Sequence, residues 1–274
     1  MNKTRRKKMR RKKMSSRVFV CILVLLLIAK NASSQVDTSK AELLSTIKTA
    51  TERILQSPND AFYYGARGEA YYNLGELDKA LVDLNKAIHF DRNNWEFHYN
   101  RGIVLYDLGR FKAAIDEYST VIALDDQKSE AYSGRAASYY RIGKYAKAIN
   151  DYTRSINLNK LNPATYYNRA LCYSCLKDYS SAVNDYTIAI NYSPDISMFY
   201  CKRGYARFEM DSIDAAVNDL KKSIELDSMN IYGYYYLSLV YRKIGKTDDF
   251  YYNYDKAKKN GLPKYLYIKD KHEQ

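Results

Sequence analysis

Cys172-Tyr-Ser-Cys175 is the stretch whose residue types could do chemistry. Two thiols three residues apart are half of a tetrahedral zinc site or a redox dithiol, and zinc needs a second pair or two histidines to fill its shell. The three histidines, His89, His98 and His272, are scattered, and none has a partner at ligand spacing. The sequence carries no glycine-rich phosphate loop, nucleophile elbow or metal-binding helix motif. Catalytic residues, metal ligands and cofactors are therefore not expected. Two other patterns recur instead. Tyrosine appears 30 times. Five arginines are each followed by an acid sixteen residues later: Arg67 and Asp83, Arg101 and Glu117, Arg135 and Asp151, Arg169 and Asp185, Arg203 and Asp219.

These recurrences share a period. Rows of 34 residues, 61–94, 95–128, 129–162, 163–196, 197–230 and 231–264, align without insertion or deletion. A fixed period of this length means an array of stacked units. Position 8 of the rows is Gly68, Gly102, Ala136, Ala170, Gly204 and Ser238; position 20 is Ala80, Ala114, Ala148, Ala182, Ala216 and then Phe250. Small residues at both places let two helices approach closely. Large residues fill positions 4, 11 and 24, at helical spacing. Between them position 15 is Gly75, Gly109, Gly143 or Gly245 in four rows, where a helix would end on a left-handed glycine. Each row is thus expected to form an antiparallel helix pair, A then B, which buries its apolar faces only by stacking on its neighbours. A further helix over 41–56, within a linker and cap spanning 35–60, would cover the first row. The tail, 265–274, is too short for another pair.

The frame gives the conspicuous residues ordinary roles. Cys172 stands where other rows have Ala70, Val104, Ser138, Ala206 and Val240, so it is read as a small core residue. Cys175 and Cys201 fall at positions 13 and 5 of A helices. Export would permit a disulfide, with the third thiol free or paired between molecules. The arginine at position 7 and the acid at position 23 are read as one contact between helices A and B, because unpaired buried charge is too costly to repeat five times. The sixth row loses both together, to Leu237 and Asn253. The alternative is that the arginines bind an anionic ligand.

The rows resemble the tetratricopeptide repeat family. Its signature appears as Tyr166-x2-Arg169-Ala170-x2-Tyr173, Ala182-x3-Tyr186, Ala189 and Pro194. The departure is the arginine at position 7, where the family usually has leucine. The resemblance implies an all-α right-handed superhelical solenoid of six repeats, with the A helices lining a concave face. Positions that point inward in the family would here present Tyr72, Tyr99, Tyr106, Tyr140, Tyr167, Tyr205, Phe208 and Tyr235. Phe62, Met198 and Tyr232 fall at inward-pointing positions as well, and Tyr167 is read as facing outward into the groove. Tyrosine offers a large, stiff, amphipathic contact surface with few rotors to freeze. The family's chaperone-adaptor members grip a C-terminal carboxylate with Lys at position 5 and Asn at position 9. Neither residue occupies its place here, so that role is rejected.

The formal charge of +13 sits largely in a leader: residues 1–34 hold eleven Lys and Arg and no acid, leaving 33 bases against 31 acids. A nucleic-acid partner is therefore not expected. A basic start (1–17), an apolar run over 18–29 and the segment Lys30-Asn-Ala-Ser-Ser-Gln35 have the anatomy of a secretory signal. Cleavage after Ser34 is expected. The alternative is an uncleaved anchor, but twelve helical residues span only about 18 Å of a hydrocarbon core roughly 30 Å thick. Met14 is an alternative start that preserves a complete leader. The expected protein is a non-enzymatic, exported scaffold, periplasmic or secreted, that holds a peptide or partner helix in its tyrosine-rich groove. It would meet a membrane only through a retained leader. The alternative is a glycan-binding module using the same rings.

Overall fold

A computed structural model of the chain describes residues 40–267. The expected leader, the residues joining it to 40, and the tail beyond 267 lie outside them. Among the described residues there are thirteen α-helices, one short 3-10 turn at Lys264–Leu266 and no strand. The all-α fold implied by the period is the fold the chain adopts. The chain divides into two compact units between Phe90 and Asp91. The first holds α1 (40–56), α2 (Ala61–Asn73) and α3 (Leu77–Phe90). The second holds α4 (Trp95–Asp107), α5 (Phe111–Leu124), α6 (Ser129–Arg141), α7 (Tyr145–Leu158), α8 (Pro163–Cys175), α9 (Tyr179–Tyr192), α10 (Ser197–Glu209), α11 (Ile213–Leu226), α12 (Ile231–Lys243) and α13 (Thr247–Lys259).

Local chemistry sets the helix ends. Asp60, Asn94, Asn162 and Asn230 cap α2, α4, α8 and α12, each accepting a hydrogen bond from a first-turn backbone N–H. Pro163 opens α8, where a missing N–H costs nothing. Every A helix ends on a left-handed residue. Gly75, Gly109, Gly143 and Gly245 take that place, and so do Lys177 and Asp211, each at φ 62°. The next N–H then reaches back to the last helical turn, as Asp178 does to the Tyr173 carbonyl at 3.0 Å.

Close helix packing follows from the small residues. Ala80, Ala114, Ala148, Ala182 and Ala216 have no exposed surface. Tyr118 is wedged between glycines: a Cβ on Gly102 would lie 2.8 Å from its ring, and one on Gly134 2.5 Å. Within the second unit each B helix packs on its own A helix and on the next. Fully burying a side chain of the Leu84, Leu220 or Val240 kind contributes about 1.5–3 kcal/mol.

A chain of polar contacts runs through this packing. Arg135, Arg169 and Arg203 each hold their aspartate with two parallel bonds of 2.7–2.9 Å, as Arg67 does at 2.6 and 2.8 Å. The remaining guanidinium nitrogen donates backwards to a hydroxyl: Arg67 to Thr51, Arg135 to Ser119, Arg169 to Thr153 and Arg203 to Thr187, at 2.9–3.1 Å. Glu117, one carbon longer, is shared between Arg101 at 2.7 Å and His98 at 2.9 Å. Arg207 also donates to Asp219. For Arg169, burial works against the charge, but the bond to Asp185 and its field outweigh it and raise the pKa. Thr51 lies on α1, so α1 stands to α2 as α5 stands to α6.

Candidate functional site

The eight aromatic residues read as a groove all lie on A helices, and all are partly buried. Tyr72 lies on α2 in the first unit, where Phe62 is far more open, 66% exposed. The other seven are in the second unit. Tyr99 lies 5.8 Å from Tyr118. Tyr106 packs edge-on to Phe111 at 5.3 Å, and the Arg141 guanidinium covers both rings. Tyr140 sits 5.6 Å from Tyr145. Tyr167 is packed on both sides rather than free. Its ring is 4.9 Å from Phe199 on α10 and 5.7 Å from Tyr186 on α9. Tyr205 stacks on Tyr236 of α12 at 4.5 Å. Lys243 lies over Phe208, and Tyr235 packs against Tyr236 at 5.6 Å.

Tyr167 and Tyr205 thus join neighbouring A helices, Tyr99, Tyr106 and Tyr140 pack on rings of their own B helices, and all eight expose only part of their surface. Burial pushes the Tyr167 phenol up to about 12. Tyr140 rises to about 12 through burial first and then the neighbouring Cys175. Tyr205 also rises through burial, reinforced by Glu209. What the surface offers is apolar faces, hydroxyl edges and a few flanking charges, which suits contact with another molecule.

Tyr236 belongs with this set and is missed by the inward-pointing positions. It stands at position 6, where other rows have Ala66, Asn100, Gly134, Asn168 and Lys202. An aromatic in a column of small and polar residues was the available signal. Lys202 Nζ lies over both Tyr232 and Tyr236, at 5.4 and 5.7 Å. Among the described residues the three cysteines are free thiols, Cys172 and Cys201 buried and Cys175 exposed. Burial pushes Cys172 up to about 12 and Cys201 up to about 11, which makes both poor nucleophiles. Among the described residues no cluster of histidine, cysteine and carboxylate could hold a metal ion. No helix among them is long and apolar enough to cross a membrane.

Family profiles match this architecture in sequence. Those described as TPR repeat match residues 68–109 and 104–143, and those described as tetratricopeptide repeat match 129–162, 163–196 and 199–228. Together they cover more than half of the chain. The chain belongs to the tetratricopeptide repeat family. Among solved structures it is similar to the MamA protein, at 26% identity and a TM-score of 0.58, over 61% of this chain and 92% of that one. YrrB, described as a TPR protein with an unusual peptide-binding site, aligns at 16% identity and a TM-score of 0.59, over 67% of this chain and 95% of its own. A tetratricopeptide repeat protein from Parabacteroides merdae aligns at 18% identity and 0.63, over 86% and 93%. The latter two show the fold alone. No curated protein is close enough in sequence to count as a match. The fold is thus that of a tetratricopeptide interaction scaffold.

Proposed function

We propose that this tetratricopeptide protein is a non-catalytic scaffold that holds a peptide or helix of a partner protein against the aromatic face of its A helices. The observation that carries this reading is the stack of Tyr205 on Tyr236, at 4.5 Å across α10 and α12, flanked by Tyr232 and Tyr235. Rings already fixed by their neighbours lose little entropy when a ligand covers their free faces. The peptide-binding site named for YrrB makes a peptide the first ligand to try. Export belongs to the same proposal and rests on the composition of the leader.

Selection of peptides from a displayed random library on the mature chain tests the binding reading. The Tyr106→Ala/Tyr205→Ala/Tyr235→Ala variant should lose the selected peptides, while Tyr251→Ala/Tyr252→Ala, on exposed α13 positions, should keep them. Equal binding by both variants removes the A-helix face as the site. Binding of polysaccharide but of no peptide would favour the glycan reading instead. Mature protein found only in the cytosol after cell fractionation would overturn export.

A further inference from the structure

The chain contains one polar triad twice, closed in one place and open in the other. Ser197, Ser223 and Asn230 occupy positions 1, 27 and 34 of the fifth row. There the Asn230 amide donates to both serine hydroxyls at 2.7 and 2.8 Å, while its oxygen accepts from Gly233 N–H. The network is shut. Ser129, Ser155 and Asn162 occupy the same positions of the third row. Here Asn162 accepts from the Ala164 N–H beyond Pro163, and Ser155 pairs with Ser133 at 2.8 Å instead. A cavity of about 270 Å³ remains, and its lining includes Tyr99, Ser129, Glu130, Ser133, Asn159 and Asn162. Gly134 lines it too. A Cβ there would press on the Tyr118 ring, so the lining is held to glycine.

Sign and size identify the guest. Glu130 is the only formal charge in the lining and makes no ion pair among the described residues. The nearest cation in sequence, Lys128, is held elsewhere, 3.9 Å over Trp95 and 3.2 Å from Asp125. Tyr99 forms a wall, and its phenol is raised first by burial and then by the charge of Glu130 facing it. The volume falls below the usual range for drug-sized ligands, about 300–1,000 Å³, and suits one long side chain.

We infer that this pocket receives an arginine or lysine side chain of a bound peptide, with Glu130 as its counter-charge and the Tyr99 ring as its stacking wall. The inference rests on the peptide-binding reading above and narrows it.

The test titrates isotope-labelled full-length chain with N-acetyl-arginine amide and with N-acetyl-citrulline amide, its neutral isostere, followed by NMR. The arginine probe should shift the amide signals of Ser129, Glu130 and Ser133 at a midpoint about tenfold lower than citrulline. Glu130→Gln should abolish that preference, and Glu130→Asp should keep part of it. Glu130 is exposed, so an unchanged melting temperature would show that these variants fold. Equal midpoints for the two probes, no shifts at all, or a preference that survives Glu130→Gln would overturn the inference. Suppose a library-selected peptide binds through Tyr205 and Tyr235 but ignores both Glu130→Gln and replacement of its own basic residues. The pocket would then fall while the groove stood. A library that yields no peptide would remove both.

Discussion

Arg169 grips Asp185 with two parallel hydrogen bonds of 2.7 and 2.8 Å and spends its third nitrogen on Thr153, 2.9 Å away on α7. One guanidinium therefore ties an A helix to its own B helix and to the B helix before it. The planar fork of arginine allows this, and a lysine could not reproduce it. The pair is also dry. The side chains are 16% and 3% exposed, so removing one partner strands a charge.

Asp185→Ala should therefore destabilise the protein by about 3 kcal/mol. Thr153→Ala, which strands one donor, should cost about 1 kcal/mol. The double change Arg169→Leu/Asp185→Asn copies Leu237 and Asn253 of the sixth row and should cost less than Asp185→Ala alone. Chemical denaturation of the four proteins checks the order. A melt unchanged by Asp185→Ala would contradict the strut.

Lys177 holds the left-handed conformation that four other A-helix ends give to glycine. That conformation costs a non-glycine residue roughly 1–2 kcal/mol, part of which glycine returns as chain entropy. Lys177→Gly should raise stability by up to about 1 kcal/mol. Asp211→Gly should gain less, since Asp211 also pairs with Lys243. Thermal melts of both variants decide the ranking.

Gly134→Ala should cost about 1–3 kcal/mol by driving a methyl into Tyr118. Tyr118→Leu in the same chain should recover part of the loss by vacating that space. Failure of the second change to help would locate the strain elsewhere.

Alkaline pH should unfold the protein cooperatively. Tyr167 and Tyr140 stand at about 12 when folded, against about 10 for a free phenol. The folded pKa is the higher one, so the unfolded state ionises first. Stability is complete below about pH 10 and is lost as pH rises from there towards 12. Phenolate absorbance should climb in two stages, with the second coinciding with loss of helical circular dichroism. A single smooth titration with helix intact at pH 12 would refute the burial of these rings.

Iodoacetamide at pH 8 should label Cys175 at least tenfold faster than Cys172 or Cys201, because the latter are buried with raised pKa values. Peptide mapping by mass spectrometry reads the three sites separately.

Much of this fold can be read from spacing alone, because each unit repeats the same packing problem. The A helices begin at Ala61, Trp95, Ser129, Pro163, Ser197 and Ile231, the first residue of each row. Some of the remainder was present in the sequence but needed a further comparison. Thr51, Ser119, Thr153 and Thr187 precede their arginines by sixteen residues, and Lys221 stands in that place before Leu237, where the arginine is gone. Other features do not lie in residue type at all. Ser129, Ser155 and Asn162 match Ser197, Ser223 and Asn230 by position and identity, yet only one set closes. Asn162 accepts from the N–H two residues on and Asn230 from the one three residues on, a difference that residue identity does not show. Nor does a position said to point inward reveal how much of a ring its neighbours consume, as Tyr167 illustrates.

The backward reach of Arg67, Arg135, Arg169 and Arg203 bears on where the chain can be cut and rejoined. Excising 129–162 would set Arg169 sixteen residues after Ser119, with Asp185 still sixteen residues ahead. One hydroxyl would simply replace another. Any exchange in steps of 34 within 129–230 keeps the arginine, its aspartate and the hydroxyl behind it in register, whereas excising 95–128 would set Arg135 sixteen residues after Asn85. Over those rows the chain could gain or lose whole units without losing a strut, and Thr51 on α1 gives Arg67 the same kind of junction.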